Sequence, residues 1–131
     1  MTDARIGLTV THRRYVPHAH AHYGGDLVDG AYALGLFGDV ATEIAIRTDG
    51  DEGLLAGYSE VRFLGPVRAG DVLEAGAEVV RVGRRSRELR CWAQVVARAE
   101  PERGPSAARV LEPPETVVEA VATVVVPGSA T

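Results

Sequence analysis

Lysine is absent: all 14 cations among the 131 residues are arginine, set against 18 Asp and Glu for a net charge of −4. That absence excludes a Schiff-base lysine, a lysine general base and a P-loop lysine. Arginine does not replace them, because it stays protonated at any working pH. The negative balance argues against a nucleic-acid partner, which favours a basic surface. A single cysteine, Cys91, excludes an internal disulfide, and no Cys/His metal pattern is present. Residues Met1 to Arg5 lack the apolar core of a signal peptide, so the expected location is the cytoplasm. No apolar run approaches the ~20 residues of a membrane span. Ser/His/Asp hydrolysis has no support, because no G-x-S-x-G elbow occurs.

What is present reads as one domain over 1–131, with 46% apolar and 24% charged residues. A chain of this size buries about two-thirds of its unfolded surface without staples. Alternating apolar positions predict strands over about 5–14, 54–64, 72–83 and 86–99. The Val- and Thr-rich stretch over 116–126 predicts another. Only the segment over about 30–47 is too long and apolar for a strand, and it predicts a helix with Asp29 as N-cap and Arg47 in the last turn. This helix is apolar nearly all round, so it is expected to be buried on most sides. One helix against one antiparallel sheet is an α+β two-layer domain whose open edges favour a dimer. The tail Gly128 to Thr131 reads as frayed.

Inside the helix, Asp39 and Glu43 stand at i and i+4, so two like charges share a face. Gly35 precedes Asp39 by one turn and Gly38 by one residue, each costing about 1 kcal/mol relative to Ala. Two readings stay open. Either the glycines clear space for a ligand and the carboxylates do acid/base work, or the pair faces water or arginines of a partner subunit. The loop His20 to Ala31, with Tyr23-Gly24-Gly25 and then Gly30-Ala31, runs straight into the helix start, where free amides bind anions and developing oxyanions. The commoner alternative is a simple capped turn. His18, His20 and His22 lack a spaced Cys or carboxylate to complete a metal site, so no metal is expected. His22, nearest the helix, is a candidate acid/base or hydrogen-bonding group. Arg84, Arg85, Ser86 and Arg87 at a hairpin are candidate phosphate contacts, against a plain solvated turn. Cys91 alternates with Leu89 and Ala93 and reads as a packing residue.

Five blocks of sequence carry a resemblance: Tyr23-Gly24-Gly25-Asp26-Leu27-Val28-Asp29-Gly30-Ala31, then Gly38-Asp39…Thr42-Glu43, then Asp49-Gly50-Asp51, then Gly65-Pro66-Val67-Arg68-Ala69-Gly70-Asp71, and the late Glu112-Pro113-Pro114. Over about 22–126 the chain resembles the β-aminoacyl-CoA ammonia-lyases of the hotdog superfamily, the 3-aminobutyryl-CoA and β-alanyl-CoA lyases. The resemblance implies a hotdog fold, a sheet curled around the central helix, and a double-hotdog homodimer or a higher oligomer built from it. It implies active sites at the subunit interface near the helix N-terminus. The implied reaction is reversible loss of ammonia from a short-chain 3-aminoacyl-CoA to give an enoyl-CoA such as crotonyl-CoA. Asp39, Glu43 and His22 become candidate catalytic residues, and Tyr23, Gly24, Gly25, Gly30, Ala31 and Gly35 candidate substrate contacts. Arg84, Arg85, Ser86 and Arg87 become candidate CoA-phosphate contacts, from this chain or its partner. No cofactor is needed, since CoA belongs to the substrate. An acyl-CoA thioesterase, an enoyl-CoA hydratase and a non-catalytic CoA-ester-binding module are the competing expectations.

Overall fold

The computed structural model describes residues 3–127. The order is β1 (Thr9–Tyr15), two short 3-10 turns (His18–His20, Gly24–Asp26), α1 (Gly30–Asp49), β2 (Leu54–Phe63), β3 (Val72–Val82), β4 (Ser86–Ala99) and β5 (Ala108–Val125). The strands form one antiparallel sheet in the order β1-β3-β4-β5-β2, and α1 touches all five. The sheet therefore wraps the helix, as a hotdog fold requires.

Small residues let the helix sit close to the strands. Ala75 pairs with Ala93 across β3 and β4, and Cys91 lies between Ala77 and Ala120. These alternate positions face inward and are buried, with Leu73, Val79, Leu89, Val95 and Val124 filling the ends. Phe37, Val40, Ala41, Ile44 and Ala45 supply the helix side of the core.

The helix begins where the sequence places it. Asp29 is the N-cap, and its side chain accepts a hydrogen bond from the Tyr32 amide. The helix ends two residues later than expected, at Asp49, because Gly50 takes the left-handed conformation (φ 64°) that closes it. The expectation of burial on most sides needs correction. Ala31, Gly35, Asp39, Thr42 and Ile46 line an exposed face, so a single chain covers the helix on one side only.

Strand bounds differ most at the two ends. Gly7 (φ 95°) lies in a turn, which delays β1 to Thr9. β5 begins eight residues earlier than the expected 116, since Ala108 to Val110 pair with Ala97 to Ala99 of β4. The ladder resumes at Glu115 opposite Val95, so Pro113 and Pro114 fall in a bulge where their missing amides break no pairing. The expected fraying of Gly128 to Thr131 lies outside the described residues. No helix among them is long and apolar enough to cross a membrane.

Candidate active site

A cleft of about 490 Å3 opens at the start of α1, lined by Tyr23, Asp29, Gly30, Ala31, Phe63 and Pro66 among others. A Cβ at Gly30 would stand 2.5 Å from the Phe63 ring, so a larger residue there would have to displace that ring. The ring thus lies against the first helical turn and forms one wall. The loop before the helix is held by backbone contacts. Leu27 and Arg68 form an isolated bridge, and the Ala69 amide donates to the Asp26 carbonyl at 2.8 Å. Gly25 takes φ 71° to complete the turn, leaving Tyr23 exposed at the rim. The first amides of α1 have no partner within the helix, and they carry its positive dipole end.

His22 sits beside this cleft. Its Nδ1 is 3.7 Å from Asp29 Oδ2, and its ring packs edge-on to Tyr23 at 4.6 Å. His20 instead packs on Tyr32 at 4.7 Å. Among the described residues no three His, Cys, Asp or Glu side chains cluster as metal ligands.

The two helix carboxylates have different surroundings. Glu43 receives His12 Nε2 at 2.7 Å on Oε1 and Arg47 Nε at 2.8 Å on Oε2. The His12 hydrogen bond, then that from Arg47, holds the Glu43 carboxyl below the usual range. Asp39 is 62% exposed, and its nearest cation is Arg14 at 4.0 Å. The repulsion expected between the two is thus relieved on the Glu43 side. His12 and Arg14 alternate on β1, so both reach the same face of α1. The sequence alone shows neither role, because both depend on strand-helix packing. Asp29 reads from the sequence as a cap. One open turn separates Asp39 from Gly35, where an added Cβ would meet nothing within 4 Å.

The structure does not bring the mid-helix carboxylate and the cleft together in one chain. Nine residues separate Gly30 from Asp39, about 13 Å along the axis. The arginine hairpin is farther still. Arg87 is buried and grips Asp49 at the far end of α1 with two hydrogen bonds, Nε–Oδ2 3.0 Å and Nη2–Oδ1 2.7 Å. Its Nη1 donates to the carbonyls of Gly83 and Ser86. Arg87 is therefore a structural group rather than a free phosphate contact, because its donors are spent inside the fold. Arg84 and Arg85 are exposed and enter no ion pair among the described residues. A polar cleft of about 480 Å3 beside them is lined by Arg84, Arg87, Asp49 and Asp51. A larger cavity of about 540 Å3 lies over Glu60, Arg62, Arg90 and Glu119. Its arginines are already paired, Arg62 with Glu119 at 2.7 Å and Arg90 with Glu78 at 2.9 Å, so neither is a free cation for an anionic ligand.

Asp71 accounts for the end of the Gly65 to Asp71 motif, and Tyr58 fixes the helix on the sheet. Asp71 is fully buried, accepts from Arg98 Nε at 2.9 Å and Nη2 at 2.8 Å, and caps the Arg68 amide. Tyr58 donates its hydroxyl to the Leu34 carbonyl and so ties β2 to the second turn of α1. Burial pushes that hydroxyl up to about 12.

A family model described as the thioesterase superfamily matches residues 27–100. A 3-aminobutyryl-CoA ammonia lyase of Acetoanaerobium sticklandii is 49% identical over 107 residues, 82% of this chain and 85% of that protein. The solved structure of β-alanyl-CoA:ammonia lyase from Clostridium propionicum superposes with a TM-score of 0.87 at 32% identity, covering 92% of this chain and 86% of that one. A hexameric thioesterase from Yersinia pestis has the same fold, with a TM-score of 0.73 at 18% identity over 95% of this chain and 90% of that one. The chain belongs to the β-aminoacyl-CoA ammonia-lyase family of the hotdog-fold thioesterase superfamily.

Proposed function

We propose that the protein is an ammonia lyase on short-chain 3-aminoacyl-CoA thioesters, releasing an enoyl-CoA such as crotonyl-CoA, and running reversibly. The observation that carries the mechanism is the contrast along one helix: a cleft of free amides at its start and an uncommitted carboxylate, Asp39, on its open face. The relatives named for 3-aminobutyryl-CoA and β-alanyl-CoA supply the substrate class.

The thioester carbonyl accepts hydrogen bonds from the amides at Gly30 and Ala31, which stabilise enolate character. A carboxylate removes the proton α to the carbonyl. The C–N bond then breaks with its electron pair on nitrogen, and ammonia leaves as the enolate electrons form the C=C bond. Asp39 is the proton carrier in this scheme. Glu43, with both oxygens engaged by His12 and Arg47, remains a fixed anion.

Since about 13 Å separates the two halves in one chain, a second copy supplies the carboxylate. A twofold axis that brings Asp39 of the partner subunit to Ala31 passes beside the midpoint residue, Gly35. Gly35 is exposed and without neighbours in the single chain, so two antiparallel helices can approach there. The active unit is then a homodimer, from which larger homo-oligomers are built. The adenosine phosphates of CoA meet Arg84 and Arg85, the two free cations of the hairpin. No cofactor takes part beyond the CoA of the substrate.

Incubation with crotonyl-CoA and ammonium tests the reaction. Loss of the enoyl thioester absorbance that requires ammonium, without free thiol, is expected. Thiol release would replace the lyase with a thioesterase, and no change in either signal would leave only a binding module.

A further inference from the structure

We infer that Asp29 selects the substrate, by pairing its carboxylate with the 3-ammonium group in the cleft at Gly30 and Ala31. This rests on the lyase reading and supplies the nitrogen-recognition element that the reading lacks.

Asp29 uses one oxygen for structure. Its Oδ1 accepts from the Tyr32 amide at 3.2 Å, which fixes the side chain. Among the described residues its Oδ2 accepts no hydrogen bond, and the basic group it faces is His22 Nδ1 at 3.7 Å. The side chain is 36% exposed, and among the residues lining the cleft it alone is acidic. The other lining side chains are uncharged, Val67, Val118, Phe63 and Tyr23 among them. One carboxylate oxygen that accepts no hydrogen bond, in a cleft whose other lining side chains are uncharged, is a receptor for a cation. Its position suits this substrate class: an ammonium at C3 lies three bonds from a carbonyl carbon held at the adjacent residues. Glu43 cannot serve, since both its oxygens are engaged on the β1 side of the helix.

The charge also works against the wrong substrate. A carboxylate beside the oxyanion amides opposes growth of negative charge on the thioester oxygen. A bound ammonium cancels that opposition, whereas a plain acyl chain does not, so the site discriminates by repulsion as well as attraction. In the elimination the C–N electron pair stays on nitrogen, neutral ammonia departs, and the α-proton is on the partner subunit's Asp39. Asp29 takes no proton in this step and is left without its cation, open to ammonium or the next substrate.

The test compares Asp29→Asn with the parent enzyme, since Asn caps helices as well as Asp. Dissociation constants for 3-aminobutyryl-CoA and for butyryl-CoA are measured by calorimetry, beside lyase turnover. The expected result is a 10- to 100-fold loss of affinity for the amino ester, the size of one charged hydrogen bond. Butyryl-CoA should bind equally well or more tightly, and Asp29→Glu should restore part of the preference. Equal loss for both esters, or an unchanged preference for the amino ester, overturns the inference. Asp29→Ser, an uncharged cap, gives the same readout if the Asn variant is unstable. Failure of the lyase reading shows separately, as absent ammonium-dependent turnover by the parent enzyme.

Discussion

His12 Nε2 stands 2.7 Å from Glu43 Oε1, and this contact splits two carboxylates of like sequence context into different kinds. Glu43 is a neutralised member of a His12–Glu43–Arg47 cluster. Asp39, one turn earlier, keeps its charge open to solvent on the uncovered face. Among the described residues the His12 Nδ1 is buried without a hydrogen-bond partner.

Asp39→Asn is expected to lower kcat about 1,000-fold, the range for losing a general base. Glu43→Gln keeps an acceptor for His12 and is expected to lower kcat by about 10-fold or less, through displaced neighbours. Steady-state kinetics on 3-aminobutyryl-CoA decides between them. Near-full activity in both variants would sink the assignment, and a larger loss in Glu43→Gln would reverse it.

Arg87 and its hairpin neighbours should separate cleanly. Arg87→Met leaves Asp49 without its main partner in a poorly exposed site, and is expected to cost about 3 kcal/mol of unfolding free energy. Urea denaturation measures it. Arg84→Ala and Arg85→Ala are expected to leave stability within about 0.5 kcal/mol. They should raise KM for the CoA ester several-fold while sparing the corresponding pantetheine ester, which lacks the adenosine phosphates.

Acid lability follows from the ion pairs. Hydrogen bonds from Arg87 hold Asp49 below its ordinary value, those from Arg13 and then Gln94 lower Glu74, and His12 then Arg47 lower Glu43. Each folded-state value lies below the unfolded one, so the stabilisation is complete above about pH 5 and is lost as pH falls through the folded values. Melting temperature should hold between pH 7 and about 5 and drop steadily below about 4. Arg87→Met should show a shallower drop; an identical acid profile would remove Asp49 from the account.

Cys91 should be inert. It is 1% exposed beneath the helix, and burial pushes its thiol up to about 12. Titration with a thiol reagent should give no reaction in the folded protein and one thiol per chain in denaturant. Rapid labelling of the native enzyme would contradict the packing role.

The sequence by itself determined the architecture. Period-two alternation in Leu89, Cys91, Ala93 and Val95 and the long apolar stretch from Gly30 are local patterns, and local patterns fix which side of a strand or helix meets the core. The Asp29 cap was legible for the same reason, since a cap needs only its own first turn. The quoted motifs also pointed to the family and its reaction. Tertiary structure decided what depended on distance through space. Nothing in the spacing of Asp39 and Glu43 could show that His12, 31 residues earlier than Glu43, claims one of them. Nor could the run Arg84-Arg85-Ser86-Arg87 show that its last member turns inward to Asp49, across 38 residues. The prolines of β5 hid a strand that resumes on their far side, because a bulge is defined by the partner strand. Asp29 became a cleft residue only when Phe63, from the end of β2, closed over Gly30. Charges act over ångströms of space, and the fold alone sets which ones meet.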